Sequence, residues 1–241
     1  MIELAGVSKT YGGTVKAVDG LSLTVREGEI VGFLGPNGAG KTTTLKMITG
    51  ILRPDQGVIR VNGFDLAESP LEVKKRIGYV PDNPDQFLRL KGIEYLNFMA
   101  DVFGVSSALR RDRITEYAER FELADSLNDE VQSFSHGMRQ TITLLGVLVH
   151  DPEVFILDEP MTGLDPKSAF ALKEILRDFA KRGRTVFFST HVLDVAEKFC
   201  DRVAVIHRGR LIFDGTIRDM KSRYKKDESL ENMFLEMTED D

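Results

Sequence analysis

Gly35-Pro36-Asn37-Gly38-Ala39-Gly40-Lys41-Thr42 fits the pattern G-x-x-x-x-G-K-[ST], and its flanks suit it. Ile30-Val31-Gly32-Phe33-Leu34 ahead of it reads as a short buried strand, and Thr43-Thr44-Leu45-Lys46-Met47-Ile48 behind it opens a helix. Strand, glycine turn and helix N-terminus together form an anion cradle. The glycines let successive backbone N–H groups turn toward phosphate oxygens, and the helix dipole adds partial positive charge there. Lys41 would reach the β- and γ-phosphates, and the Thr42 hydroxyl would ligate Mg²⁺. The plainer alternative is a glycine turn that only joins a strand to a helix. The strand before and the helix after favour a nucleotide cradle, which by itself leaves open what the nucleotide is used for.

Two further stretches stand at strand ends. Val154-Phe155-Ile156-Leu157 is all apolar, as a parallel strand covered on both faces should be, and Asp158-Glu159 follows it directly. Adjacent strand residues point to opposite sides, so one carboxylate can hold a Mg²⁺ shell while the other faces an attacking water. Pro160 ends the strand and leaves both at its C-terminal end, where open α/β sheets bind ligands; a solvated strand end is the alternative. His191 closes the strand Thr185 to Ser189 in the same way, which favours a γ-phosphate contact over a structural histidine. Ser135-His136-Gly137-Met138 precedes an apolar helical run. Serine there is a good N-cap, and serine with a close-approach glycine is also a second phosphate site. One triphosphate rarely needs two such sites in one chain, but two facing chains could each lend theirs.

Around these stretches the chain divides by pattern. Ile2 to Val7 and Leu21 to Val25 alternate as antiparallel strands, with Tyr11 and the run Lys16 to Gly20 between them as connection. Tyr11, in a turn, can stack on a flat partner or simply pack. Val58 to Val61 and Arg76 to Val80 read as strands, and Asn62-Gly63 as a tight turn. From Asp82 to about His150 the period becomes helical, with Ile93, Leu96, Asn97 and Ala100 on one face and Ile114, Ala118 and Phe121 on another. The expected organisation is an α/β core with an antiparallel β part over 1–81 and 151–228, and a helical subdomain over 82–150. Leu230, Met233, Phe234 and Met237 give the tail 229–241 an amphipathic spacing, expected to pack on its own domain.

Composition narrows the classes. With 241 residues and 42% hydrophobic content the chain can bury a sizeable core. The formal net charge of -6 argues against sequence-independent nucleic-acid binding, so no nucleic-acid partner is expected. The lone Cys200 cannot form an internal disulfide, fits a reducing compartment and reads as core. No signal peptide is visible, and the apolar runs near Ile142 to Val149 fall short of the ~20 residues of a spanning helix. A membrane role would have to come through another polypeptide.

Taken together, these residues resemble the ATPase subunit of ABC transporters over nearly the whole chain, about Ile2 to Met237. By that resemblance, Tyr11 matches the adenine-stacking aromatic and Val18 the apolar contact after it. Gly35, Pro36, Asn37, Gly38, Ala39, Gly40, Lys41, Thr42 and Thr43 match Walker A and its helix. Phe134 to Met138 stands where the family usually has LSGGQ, Val154 to Asp158 is Walker B, and Glu159 is the catalytic glutamate. Gly163-Leu164-Asp165 is the D-loop, and His191 the switch histidine. The resemblance implies an ABC ATPase fold: a P-loop NTPase core with an antiparallel β-subdomain and an inserted helical subdomain. It further implies ATP and Mg²⁺ as cofactors, and a head-to-tail dimer with a second copy or a homologous ATPase subunit. Ser135 and Gly137 would then reach the partner's ATP. Integral-membrane permease subunits would dock near Asp82 to Leu90, placing the chain on the cytoplasmic face of the membrane.

Two departures qualify the pattern. The signature reads S-H-G-M in place of S-G-G-Q, with Ser135 and Gly137 retained. That form, with the Thr162 to Pro166 run and the Leu230 to Leu235 tail, looks like the ABC-2-type branch, which mostly serves exporters. Asp82 stands where the family has the Q-loop glutamine after Tyr-Val-Pro; it can still offer an oxygen to Mg²⁺ or its water shell, at the cost of negative charge beside the γ-phosphate. An ABC-type assembly ATPase without a transporter and an ATP-binding regulator with weak turnover are the alternative functions.

Overall fold

The computed structural model describes residues 1–223 together with Phe234 and Met237. The chain opens with β1 (Ile2–Tyr11) and β2 (Val15–Val25), then β3 (Ile30–Leu34), which feeds α1 (Lys41–Ile48). β4 (Gln56–Val61) and β5 (Phe64–Asp65) form a hairpin on Asn62-Gly63, whose φ values of 49° and 81° are those of the twisted two-residue turn. Next come α2 (Pro70–Arg76), β6 (Ile77–Val80), α3 (Gly92–Val102), α4 (Ser107–Arg120) and α5 (His136–His150). The chain then alternates through β7 (Val154–Asp158), α6 (Pro166–Lys181), β8 (Thr185–Thr190), α7 (Leu193–Phe199), β9 (Arg202–His207), β10 (Arg210–Gly215) and α8 (Ile217–Arg223).

Two sheets result. An antiparallel sheet runs β2-β1-β4-β5, and a six-stranded sheet runs β10-β9-β3-β8-β7-β6. The second is parallel except for its β10 edge. Every residue of β3, β7 and β8 is buried, which is why their central residues are apolar: α5 and α6 cover one face, and α1 with the antiparallel sheet covers the other. Register then does the positioning. Leu34 pairs with Thr190 and Asp158 pairs with Ser189, so the ends of β3, β7 and β8 lie level at one edge. The P-loop, Asp158-Glu159 and His191 all leave from that edge.

The helical insertion is held by α5, in which Gln140 to Val149 are all buried. Leu96, Ala100, Ile114, Ala118 and Phe121 pack in the same cluster as Ile142, Leu145 and Leu148, continuous with Phe155 and Phe179 of the sheet layer. No helix among the described residues is long and apolar enough to cross a membrane.

Four readings change. Lys16 to Gly20 belongs to β2 rather than to a connection, and Tyr11 is the last residue of β1 rather than a turn residue. Arg76 ends α2 instead of starting β6. Glu159 is not a strand residue: its φ of 49° is left-handed, so its divergence from Asp158 comes from that twist and not from strand alternation. Cys200 follows α7 directly, with its Sγ against Gly32, and burial pushes its thiol up to about 12, as an inert core cysteine requires. Phe234 and Met237 pack against the cluster of Leu34, Ala196, Val203, Val205, Phe213 and Met220, which is their own domain; Leu230 and Met233 lie outside the described residues.

Candidate nucleotide site

The P-loop is clamped from two sides. A Cβ at Gly40 would stand 2.3 Å from the Ala17 carbonyl oxygen, and one at Gly35 2.4 Å from the Ile206 carbonyl oxygen. Gly40 also takes a φ of 108°, so both the close approach and the backbone conformation require glycine. The turn between β9 and β10 adds a hydrogen bond from Gly209 N–H to the Ala39 carbonyl at 2.9 Å. The loop is therefore fixed before any ligand arrives, which is what a backbone N–H cradle needs. No side chain caps α1, so the N–H groups of its first turn stay available to an anion. Asn37, Gly38 and Thr42 are exposed, Pro36 and Thr43 half-buried, and Gly35, Ala39 and Gly40 buried.

Lys41 is 7% exposed and donates to the Gly35 carbonyl at 2.6 Å and the Pro36 carbonyl at 3.3 Å. Its Nζ also lies 3.7 Å from Glu159 Oε1, and His191 Nδ1 lies 3.0 Å from that same oxygen. The expected trio of Lys41, Glu159 and His191 is thus brought together around one carboxylate oxygen. His191 itself is about half exposed, at 54%, so it can swing toward a ligand.

Asp158 is fully buried. Its Oδ1 accepts from the Ser189 hydroxyl at 2.5 Å, and its Oδ2 is buried without a hydrogen-bond partner. A buried carboxylate oxygen without a donor suits a cation, and a carboxylate with the Thr42 hydroxyl is the hard oxygen chemistry of Mg²⁺. No cluster of three or more His, Cys, Asp or Glu side chains forms a metal cage among the described residues, so the remaining ligands would come from phosphate and water. Asp82 is exposed in the loop after β6. Burial, then the Asp158 charge, then the Asp82 charge raise the phenol of Tyr79 above its ordinary value.

Tyr11 is 43% exposed at the open end of the antiparallel sheet, free to stack. Val18 differs from its expected role. It is fully buried, and its Cγ2 would stand 3.3 Å from a Cβ at Gly40, so it braces the P-loop from beneath and shows no surface to a base. Ser135 caps α5, its hydroxyl accepting from Met138 N–H at 3.2 Å. A Cβ at Gly137 would meet Gly163 alone within 4 Å, not the P-loop of its own chain.

Sequence reasoning missed four participants. Ser189 holds the Asp158 carboxylate and the Glu159 backbone N–H, and its one signal is a polar residue in the buried run Phe187-Phe188-Ser189-Thr190. Gly209 and Ala17 clamp the P-loop from elements remote in sequence. Asp85, three residues beyond Asp82, pairs with Arg139 at 2.8 Å and ties the loop after β6 to the helix behind Ser135.

Comparison with known proteins agrees with this geometry. The family described as ABC transporter matches residues 18–162. ABC transporter ATP-binding protein NatA of Bacillus subtilis is 37% identical over 239 residues, covering 98% of this chain and 97% of that protein. Daunorubicin/doxorubicin resistance ATP-binding protein DrrA of Streptomyces peucetius is 41% identical over 221 residues, 92% of this chain and 67% of that one. Among solved structures, an ATP-binding subunit of an ABC transporter superposes with a TM-score of 0.93 at 32% identity, covering 98% and 99% of the two chains. A dimeric ATP-binding cassette, MJ0796, bound to ADP and Pi in a post-hydrolysis state, superposes with a TM-score of 0.81 at 25% identity, covering 90% and 99%. The chain belongs to the ABC transporter family, among its ATP-binding subunits.

Proposed function

We propose that this chain is a Mg²⁺-dependent ATPase that closes as a dimer on two ATPs and drives export through a separate membrane-spanning partner. The observation that carries the reading is the convergence of Lys41 Nζ and His191 Nδ1 on Glu159 Oε1 beside the buried Asp158. Lys41 exchanges its P-loop carbonyls for the β- and γ-phosphates, a short movement for a flexible ammonium. Glu159, released from Lys41, polarises the attacking water. His191 leaves the glutamate for the γ-phosphate and stabilises charge on the transferring phosphoryl group. Asp158 Oδ2 and Thr42 would hold Mg²⁺, with Asp82 adding an oxygen to its water shell; the bound ion neutralises charge on the phosphates. Tyr11 stacks on the adenine.

The Ser135 cap bond goes to Met138 N–H and a Cβ at Gly137 would meet Gly163 and no P-loop atom within 4 Å, which supports their acting on the ATP of a second copy or a homologous subunit, as the dimeric relative suggests. The permease partner docks near Asp82 to Leu90. Phe87 and Phe98, both 44% exposed with ring centroids 5.5 Å apart, offer an apolar surface there. The resistance function in the name of DrrA supports export over import, and the permease holds the chain on the cytoplasmic face of the membrane.

The test is steady-state ATPase activity with and without Mg²⁺, beside a Lys41→Ala control, followed by affinity capture from solubilised membranes. Mg²⁺-dependent turnover lost in the control, with a polytopic polypeptide captured, is the expected result. Turnover that survives Lys41→Ala would remove the site assignment, and capture of soluble partners alone would remove export.

A further inference from the structure

Gly163, in the turn after Glu159, is solvent-exposed on one side and lies against the first turn of α5 on the other. A Cβ at Gly163 would stand 2.6 Å from His136 Cδ2 and 3.1 Å from His136 Nε2, and one at Gly137 would stand 2.6 Å from the Gly163 carbonyl oxygen. The imidazole of His136 thus sits on the bare Cα of Gly163, while the backbone at Gly137 sits on its carbonyl. The φ of 79° at Gly163 further restricts that position to glycine. Any side chain at 163 would drive the two segments apart.

The turn is stiff on both sides of this contact. Thr162 N–H donates to the Glu159 carbonyl at 3.0 Å, and Leu164 N–H to the Met161 carbonyl at 3.4 Å. Asp165 caps α6 by accepting from Lys167 N–H at 2.9 Å and Ser168 N–H at 3.0 Å. A shift at Gly163 is therefore carried back to the backbone of Glu159. The contact also explains how a histidine is accommodated where the family pattern has glycine. A bulky group at a phosphate-facing helix N-terminus would obstruct an anion, but this ring lies along its own chain's turn.

We propose that His136 is a positioning residue that locks the Ser135–Gly137 segment to the Glu159 turn of the same chain. One protomer's Glu159 serves its own ATP while its Ser135 serves the partner's, so the lock makes the two sites respond together. This rests on the two-ATP dimer proposed above. The lock is a packing contact between two short segments with two jobs, which is the physical form a coupling between sites takes.

The experiment is an ATP titration of turnover for the full chain and its His136→Gly, His136→Phe and Ser135→Ala variants, with fluorescent-nucleotide binding and melting temperature for each. His136→Gly is expected to lower kcat about tenfold, as a small misplacement of reacting groups does. Its Hill coefficient should fall from near ~2 toward ~1, with nucleotide affinity and melting temperature kept. His136→Phe, which retains a flat ring over Gly163, should restore the Hill coefficient. If Ser135→Ala loses turnover while His136→Gly keeps the parent kcat and Hill coefficient, the lock is overturned and the dimer stands. If Ser135→Ala turns over at the parent rate, the dimer falls and the lock with it. A parent Hill coefficient of ~1 also overturns the lock, and so does a His136→Gly loss matched by lower nucleotide affinity and melting temperature.

Discussion

The Ser189 hydroxyl donates to Asp158 Oδ1 at 2.5 Å and accepts the Glu159 N–H at 3.0 Å. One side chain therefore fixes two neighbouring carboxylate residues in different ways. It orients the Asp158 carboxylate so that Oδ2 is left without a partner, and it holds the backbone of Glu159 in its left-handed turn. The pairing of Asp158 with Ser189 across β7 and β8 makes this possible.

Ser189→Ala should leave the fold intact and lower turnover. A hydrogen bond to a charged group contributes about 1.5–3 kcal/mol, so kcat should fall roughly 10- to 100-fold. The loss should be partly recovered at high Mg²⁺, because the freed Asp158 carboxylate can still be captured by the ion. A Ser189→Ala enzyme with the parent rate and Mg²⁺ dependence would show that Ser189 is only a core residue.

Glu159→Gln keeps the shape of the side chain but removes the proposed base. Positioned general bases contribute about 10²–10⁴-fold, so turnover should fall by at least ~100-fold while ATP binding survives. The ion pair with Lys41 is also lost, which removes a competitor for the lysine and favours the closed dimer. Size-exclusion chromatography with ATP should show a dimer in the variant at nucleotide concentrations where the parent is monomeric. Turnover at the parent rate would end the assignment of Glu159.

The elements legible from sequence are those with one dominant demand. β3 and β7 read directly because both faces of each are buried. β2 was cut short because Lys16, Asp19 and Gly20 break its alternation. It sits at the edge of its sheet, paired through the irregular register of β1, and polar residues are tolerated there. α2 gave no signal because Val73 is its one buried residue. The site residues carried by one local motif, Gly35 to Thr43, were legible for the same reason. Ser189, Ala17 and Gly209 were not, because register and sheet closure bring them to the site from distant parts of the chain.

Gly40→Ala should abolish nucleotide binding without unfolding the core. The added Cβ meets the Ala17 carbonyl at 2.3 Å, a backbone atom that cannot step aside, and φ of 108° is strained for alanine. The P-loop must therefore lift from β2. Calorimetric titration with ATP should show affinity reduced at least ~100-fold, since several cradle N–H groups lose their aim together. The melting temperature should fall by only a few degrees, and binding at parent affinity would show that the cradle tolerates this displacement.

His150 makes stability depend on pH. Its ring stacks on Phe103 with centroids 3.7 Å apart, its Nε2 is buried without a partner, and burial, aided by Arg113, lowers its pKa to about 4. Between the unfolded value of about 6.5 and that folded value, the unfolded chain binds a proton that the folded chain refuses. Stability is thus full above about pH 6.5 and falls as the pH drops toward 4. From pH 7.5 to 5 the loss attributable to this one group is about 2 kcal/mol. His150→Phe removes the titration and keeps a ring against Phe103, so urea midpoints at pH 7.5 and 5 should lie closer together in the variant than in the parent. Equal separations in the two proteins would mean that His150 is protonated without penalty in the folded chain.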